Sequence, residues 1–238
     1  MKHKNVVIKI GGSLLFTEDN EIDSTKIQNF GRIFLKTRYT GNHIIVCGGG
    51  KLARKYIDAV RSFQENEALC DTFGIDLSRI NAKLLISAFQ DLAYPIVPKS
   101  IEELSTAVLF GKFVIMGGLQ PGQSTTSVAL EVAEFSKADE LVILTDVEGI
   151  YDKDPKRFDD AKLLKNLTYH ELQEIIITST GNKQAAAGEY RIFDAVSLQI
   201  LKRSKLNIRI MSGKNLKDFE KYWSGEKDVI CTTITERE

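Results

Sequence analysis

The chain is poor in several residues whose abundance would decide its class early. Its 238 residues hold three cysteines, Cys47, Cys70 and Cys231, with no CxxC spacing and no neighbouring histidine pattern. An odd, scattered set argues against a disulfide framework or a cysteine-bound zinc and reads as reduced thiols. No apolar run approaches the ~18 residues that a membrane helix needs. The opening MKHKNVVIKIGG breaks its apolar stretch at Lys9, too soon for a secretory signal. A soluble, cytoplasmic protein without membrane contact is expected. Charge of one sign is also missing: 32 Lys and Arg balance 32 Asp and Glu. That balance excludes a generally basic nucleic-acid binder, so no nucleic-acid partner is expected. It does not exclude a local basic pocket. Only four prolines interrupt the chain, against seventeen glycines. Where those glycines cluster is the informative question.

Hydrophobic content of 43% with 27% charged residues is ordinary for a globular protein. Short β-branched runs alternate with helical patterns along the whole length. Strands are expected at 5–10, 43–47, 112–116, 140–144, 207–211 and 228–231, with a further short one between Pro95 and Pro98. Helices are expected after Ser24, over 51–63 and 73–92, after the Ser100/Glu103 capping box, and from about Ser124. Others follow Thr168/Glu171, run over 194–204, and precede the last strand. Buried strands alternating with helices describe an α/β protein with a mainly parallel sheet covered on both faces. No repeat or linker divides residues 1–238, so one domain is expected.

The glycines gather where the early strands end: 11–12, 48–50, and 117–118 with Gly122. A single glycine pair after a strand is ordinarily a tight turn. In an open α/β sheet, however, ligands bind outside the carboxyl ends of the strands. Glycines there let backbone N–H groups approach phosphate oxygens, and the next helix adds its positive end. Three clusters at equivalent points imply a ligand, or two, carrying several phosphates. None matches GxGxxG or GxxxxGK[ST], which excludes the standard dinucleotide and P-loop sites. Lys9 precedes the first cluster; Lys51 and Arg54 follow the second. Phosphoryl transfer needs such cations, because charge spreads over the oxygens of the moving group. Lys9, between Ile8 and Ile10, is a poor candidate for a lysine that merely reaches solvent. Gln123, Ser124, Thr125 and Thr126 open a helix; any single one of them reads as a plain cap, and as a group after a glycine turn they also suit a ligand's phosphate or polar edge.

The combination of KIGGS at 9–13, GGGKLARKY at 48–56, GGLQPGQSTTSVA at 117–129 and TDVEGIYDKDP at 145–155 resembles the amino acid kinase family. Within it the chain is most similar to the archaeal-type UMP kinases. The similarity extends to GIDLSRINAKLL at 74–85, QDLAYPIV at 90–97 and AGEYRIFDAVSLQILKRS at 187–204. It implies a three-layer αβα sandwich, with UMP in the N-terminal part, ATP with Mg²⁺ in the C-terminal part, and a homo-oligomer, commonly a hexamer. By the same resemblance, Lys9 contacts the transferring phosphoryl group and Arg54 holds phosphate beside it. Gly12, Ser13 and Gly50 cradle ATP phosphates, while Thr145, Asp146, Tyr151 and Asp154 line the ATP nucleoside site. Gly49 faces the UMP phosphate and Asp71 its ribose. Gly118, Leu119, Gln120, Pro121, Gly122, Gln123 and Ser124 enclose the rest of UMP. No protein metal site is implied.

Two departures stand out. Asp146 occupies a position where the family often has Asn, and Ala195 one where Pro is expected after Asp194. Same-fold kinases of acetylglutamate, carbamate, aspartate or isopentenyl phosphate are the alternatives, with a non-catalytic nucleotide or oxyanion storage protein as a third reading. KLARKY lacks the histidine that isopentenyl phosphate kinases carry after the second glycine cluster. The carboxylate-substrate members generally lack GGLQPGQST. ATP-dependent phosphorylation of UMP to UDP is therefore the expected activity.

Overall fold

A computed structural model describes residues 2–36, 39–153, 155, 158–180 and 192–236. The chain opens with β1 (Lys2–His3), β2 (Val6–Ile10), α1 (Ser24–Leu35), β3 (Tyr39–Thr40) and β4 (His43–Cys47). Helices α2 (Gly50–Ser62), α3 (Glu67–Phe89) and α4 (Ile101–Ala107) precede β5 (Val114–Met116). Then come α5 (Thr125–Phe135), β6 (Glu140–Thr145), β7 (Asn166–Thr168) and α6 (Tyr169–Thr180). The last elements are α7 (Ala195–Ser204), β8 (Ile208–Ser212), α8 (Lys217–Ser224) and β9 (Thr232–Thr235).

Seven strands form one sheet in the order β5-β4-β2-β6-β8-β9-β7, while β1 and β3 pair separately. All sheet pairings are parallel except β8 with β9. VVIKI sits centrally, with Ile8 opposite both Ile45 and Val142, and every residue of β2 is buried. Unbroken apolar runs are what a strand covered on both faces requires. From β2 the chain steps outward to β4 and β5, then returns to the other side of β2 for β6 and β8. Right-handed crossovers send the two directions to opposite faces. Accordingly α1, α3 and α8 pack as one group, and α5 with α7 as another. The loops after β2 and β6 diverge, which opens a crevice at the carboxyl ends of these neighbouring strands.

On one side Phe34 anchors the core, its ring centroid 4.9 Å from Trp223 and 5.3 Å from Phe89. At the amino end of the sheet, buried Glu140 receives Lys4 at 2.6 Å, Arg209 at 3.1 Å and the Tyr222 hydroxyl at 2.5 Å. Among the described residues, no helix is long and apolar enough to cross a membrane.

Several expected boundaries move. The segment between Pro95 and Pro98 is not a strand; nearby, Ala93 makes only an isolated bridge to Phe113. Proline offers no N–H to a ladder. α3 begins at Glu67, capped by Asn66, six residues before the periodic stripe becomes visible at Phe73. The last strand lies at Thr232–Thr235 rather than 228–231, and β7, which the hydropathy pattern did not reveal, pairs with it at the sheet edge. The Ser100 side chain caps α4 as expected, but Glu103 turns back to the Lys99 N–H instead of closing the box on Ser100.

Candidate functional site

The carboxyl ends of β2, β4 and β6, the loops beyond β5 and β8, and the starts of α2, α5 and α7 enclose a cleft of about 850 Å³. Its floor is made by two glycine loops in backbone contact. A Cβ on Gly12 would sit 2.1 Å from the Gly48 oxygen and 2.4 Å from the Gly50 nitrogen. Gly50, at φ +73°, would place its own Cβ 2.6 Å from the Gly12 carbonyl carbon. Neither neighbour is a side chain that could swing away, so only glycine fits at either position.

α3 holds the loops from behind. The Asn81 amide donates to the Gly48 oxygen at 2.9 Å and the Gly49 oxygen at 3.2 Å. The Ser78 hydroxyl accepts from the Gly118 N–H at 2.7 Å, and the Arg79 guanidinium donates to the Gly118 and Leu119 oxygens, each at 3.1 Å. Asp71 accepts from the Gly122 N–H at 2.7 Å. Across the cleft, Ser124 caps α5 by accepting from the Ser127 N–H, and the Ser127 hydroxyl donates to Asp194, which caps α7. Two helix N-termini are thereby tied side by side at the cleft wall, and their dipoles favour an anion between them.

Lys9 is the electrostatic centre. It is 6% exposed, and burial pushes its ammonium down to about 8, against a smaller attraction from Asp146. At neutral pH it remains charged. The same burial pushes the Cys47 thiol up to about 12, so Cys47 stays neutral and inert there. Arg54 donates to the Ser13 hydroxyl at 3.3 Å, bringing the first turn of α2 onto the loop after β2. The Thr145 hydroxyl donates to Asp146 at 3.3 Å.

The cleft brings together Lys9, Gly12, Ser13, Gly49, Gly50, Arg54 and Asp71 from the first half of the chain. Further along the chain it adds Gly118, Gly122, Gln123, Ser124, Thr145 and Asp146. Leu119, Gln120, Pro121 and Tyr151 do not line it; the Tyr151 hydroxyl donates to Glu148 at 2.8 Å instead. Asp154 and residues 187–191 lie outside the described residues. Further charged side chains line it: Lys51, already noted beside the second glycine cluster, and Glu18, Asp23, Lys26, Asp194 and Lys214, which the sequence reading did not place there. Lys214 repels Lys26, whose ammonium is lowered by burial and by that charge. The available signal for Lys214 was Gly213 directly after β8, a glycine at one more strand end.

Such an arrangement, with fixed cations and N–H donors around a buried lysine, suits ligands with several phosphates and can stabilise a phosphoryl group in transfer. Comparison with known proteins agrees. A sequence model of the amino acid kinase family matches residues 4–212. The uridylate kinase of Methanobrevibacter smithii is 41% identical over 222 residues, covering 93% of this chain and 96% of the relative. That of Sulfolobus acidocaldarius is 38% identical over 232 residues, covering 97% and 99%. The crystal structure of uridylate kinase from Archaeoglobus fulgidus superposes with a TM-score of 0.78 at 33% identity, covering 99% of this chain and all of that one. With its glycine floor, its buried lysine and relatives aligned from end to end, the chain belongs to the amino acid kinase family.

Proposed function

We propose that this chain is an ATP-dependent UMP kinase, converting UMP and ATP to UDP and ADP in pyrimidine nucleotide synthesis. The observation that carries the reading is Lys9, buried and charged where the glycine loops converge, in a chain 41% identical to a uridylate kinase. An anionic oxygen of the UMP phosphate attacks the γ-phosphorus in line as the bond to the β–γ bridging oxygen breaks. That oxygen is already ionised at neutral pH, so no general base is required. His43, the one buried histidine among the described residues, lies at the far end of β4, stacked on Phe113. Lys9 and Arg54 neutralise the group in flight. Gly12, Ser13 and Gly50 hold the ATP phosphates, with Thr145 and Asp146 toward the nucleoside. Gly49, Asp71, Gly118, Gly122, Gln123 and Ser124 hold UMP.

The reading has one domain, its N-terminal part taking UMP and its C-terminal part ATP. Mg²⁺ bound through substrate phosphates needs only one or two protein carboxylates. Asp146, in the cleft and close enough to attract Lys9, fits that requirement and would hold the ion beside the ATP phosphates. When bound, the ion offsets phosphate charge. A homo-oligomer, hexameric by family resemblance, is supported by apolar side chains left exposed on and beside α2 and α3, such as Phe63 and Ile80. Cytoplasmic nucleotides as substrates support a cytoplasmic location.

A coupled ADP-release assay tests the activity. UMP should support turnover, with acetylglutamate, carbamate and isopentenyl phosphate inert. Faster turnover on any of those three, or tight ATP binding with no UDP formed, overturns the proposal.

A further inference from the structure

We propose that Asn81 is a positioning residue for phosphoryl transfer: by holding two consecutive glycine carbonyls from behind, it aims the next two N–H groups into the cleft. Asn81 is 5% exposed, sits in the middle of α3 and does not line the cleft. Its side chain meets only acceptors here, the oxygens of Gly48 and Gly49 at 2.9 and 3.2 Å. Both N–H bonds of one carboxamide nitrogen are needed to satisfy them, which fixes the orientation of the amide.

The consequence follows from peptide geometry. In a planar trans peptide the C=O and the following N–H point in opposite directions. A Gly48 carbonyl turned toward Asn81 therefore turns the Gly49 N–H away from it. The Gly49 carbonyl does the same to the Gly50 N–H. Gly49 and Gly50 line the cleft at the N-terminus of α2 and Asn81 does not, so turning away from Asn81 directs these N–H groups toward it. Glycine peptides flip more readily than any others, because glycine populates positive and negative φ alike. Without an anchor, these donors would reorganise when charge develops on the transferring group. Preorganised donors avoid that cost. Asn81 thus acts on the phosphates through the backbone, never touching them. The argument rests on the reading that Gly49 and Gly50 meet substrate phosphates.

The test compares UMP with uridine, which lacks the phosphate, by calorimetric titration of the full-length protein, together with steady-state kcat and KM. Asn81→Ala should lower the UMP-over-uridine affinity ratio about tenfold, reduce kcat, and leave uridine affinity unchanged. Leu85→Ala, one turn along α3 and fully buried, supplies a matched loss of stability without touching the carbonyls. It should leave that ratio unaltered. Should Asn81→Ala not fold, Asn81→Ser, which keeps one donor, gives the same comparison with a smaller fall. An equal fall in Leu85→Ala, or no fall in Asn81→Ala while Arg54→Ala loses phosphate preference, overturns the role of Asn81. If Arg54→Ala also keeps its preference, the assignment of phosphate to these loops fails first, and this inference with it.

Discussion

Replacing Lys9 with methionine should make the protein more stable and almost inactive. The side chain is 6% exposed and its ammonium is lowered from an ordinary 10.5 to about 8, chiefly by burial. That displacement corresponds to about 3 kcal/mol, at about 1.4 kcal/mol per pKa unit. At pH 7 the native state carries the charge and bears nearly the whole cost. Methionine fills similar volume without it, so Lys9→Met should gain up to about 3 kcal/mol. For a domain of this length that raises Tm by about 5–10 °C.

The pH dependence gives the sharper check. The native lysine loses its proton near pH 8 and the unfolded one near 10.5, so between these values the unfolded state binds more protons. Wild-type stability then rises with pH, and the advantage of the methionine variant shrinks. Turnover should fall by about 10²–10³ or more at every pH, the usual cost of removing one preorganised charge-stabilising donor. Urea melts at pH 7 and pH 9.5 with parallel assays decide it. A variant less stable than wild type at pH 7, or a stability gap that ignores pH, would refute the placement of a buried charged lysine.

Gly12→Ala should lose about 3 kcal/mol or more, because its Cβ meets the Gly48 oxygen at 2.1 Å with only backbone to displace; thermal denaturation of the purified variant measures it. His43 is buried with its Nε2 unpartnered, and its imidazole is pushed down to about 4 by burial. The unfolded state takes up a proton below about 6.5 while the native state does not, so stability should fall as pH drops from 6.5 toward 4. His43→Phe should flatten that acid limb by up to about 3 kcal/mol, and an unchanged limb would show that His43 is not its source.

Much of this fold was legible in the chain itself. Val6–Ile10 and His43–Cys47 read as strands because a parallel sheet covered on both faces demands uninterrupted apolar runs. Ser124 before α5 and the Thr168/Glu171 box were legible because a cap is satisfied by residues within one turn. Asn166–Thr168 was not, since a three-residue edge strand carries too little pattern to stand out. The true start of α3 was missed because its first turns, packed on α2, bury only Cys70 and leave Ala68 and Leu69 exposed among Glu67, Asp71 and Thr72, so no apolar stripe stands out.

For the site, local sequence determined the ingredients: glycines at strand ends, a lysine inside an apolar strand, and the motifs that place the chain in its family. Those depend on neighbours in sequence, and their chemistry is written there. Only the tertiary structure decided what they do to one another. Gly12 and Gly50 prove to be one floor rather than two loops, because β2 and β4 lie side by side. Asp71, expected at a ribose, holds Gly122 from fifty-one positions away, and Lys214 arrives from the far end of the chain. Asn81 carries no signal of its own within its helix; its meaning lies in two carbonyls more than thirty residues earlier. Sequence lists the donors and charges, whereas direction in space, on which hydrogen bonds and fields depend, exists only once the sheet brings its strand ends together.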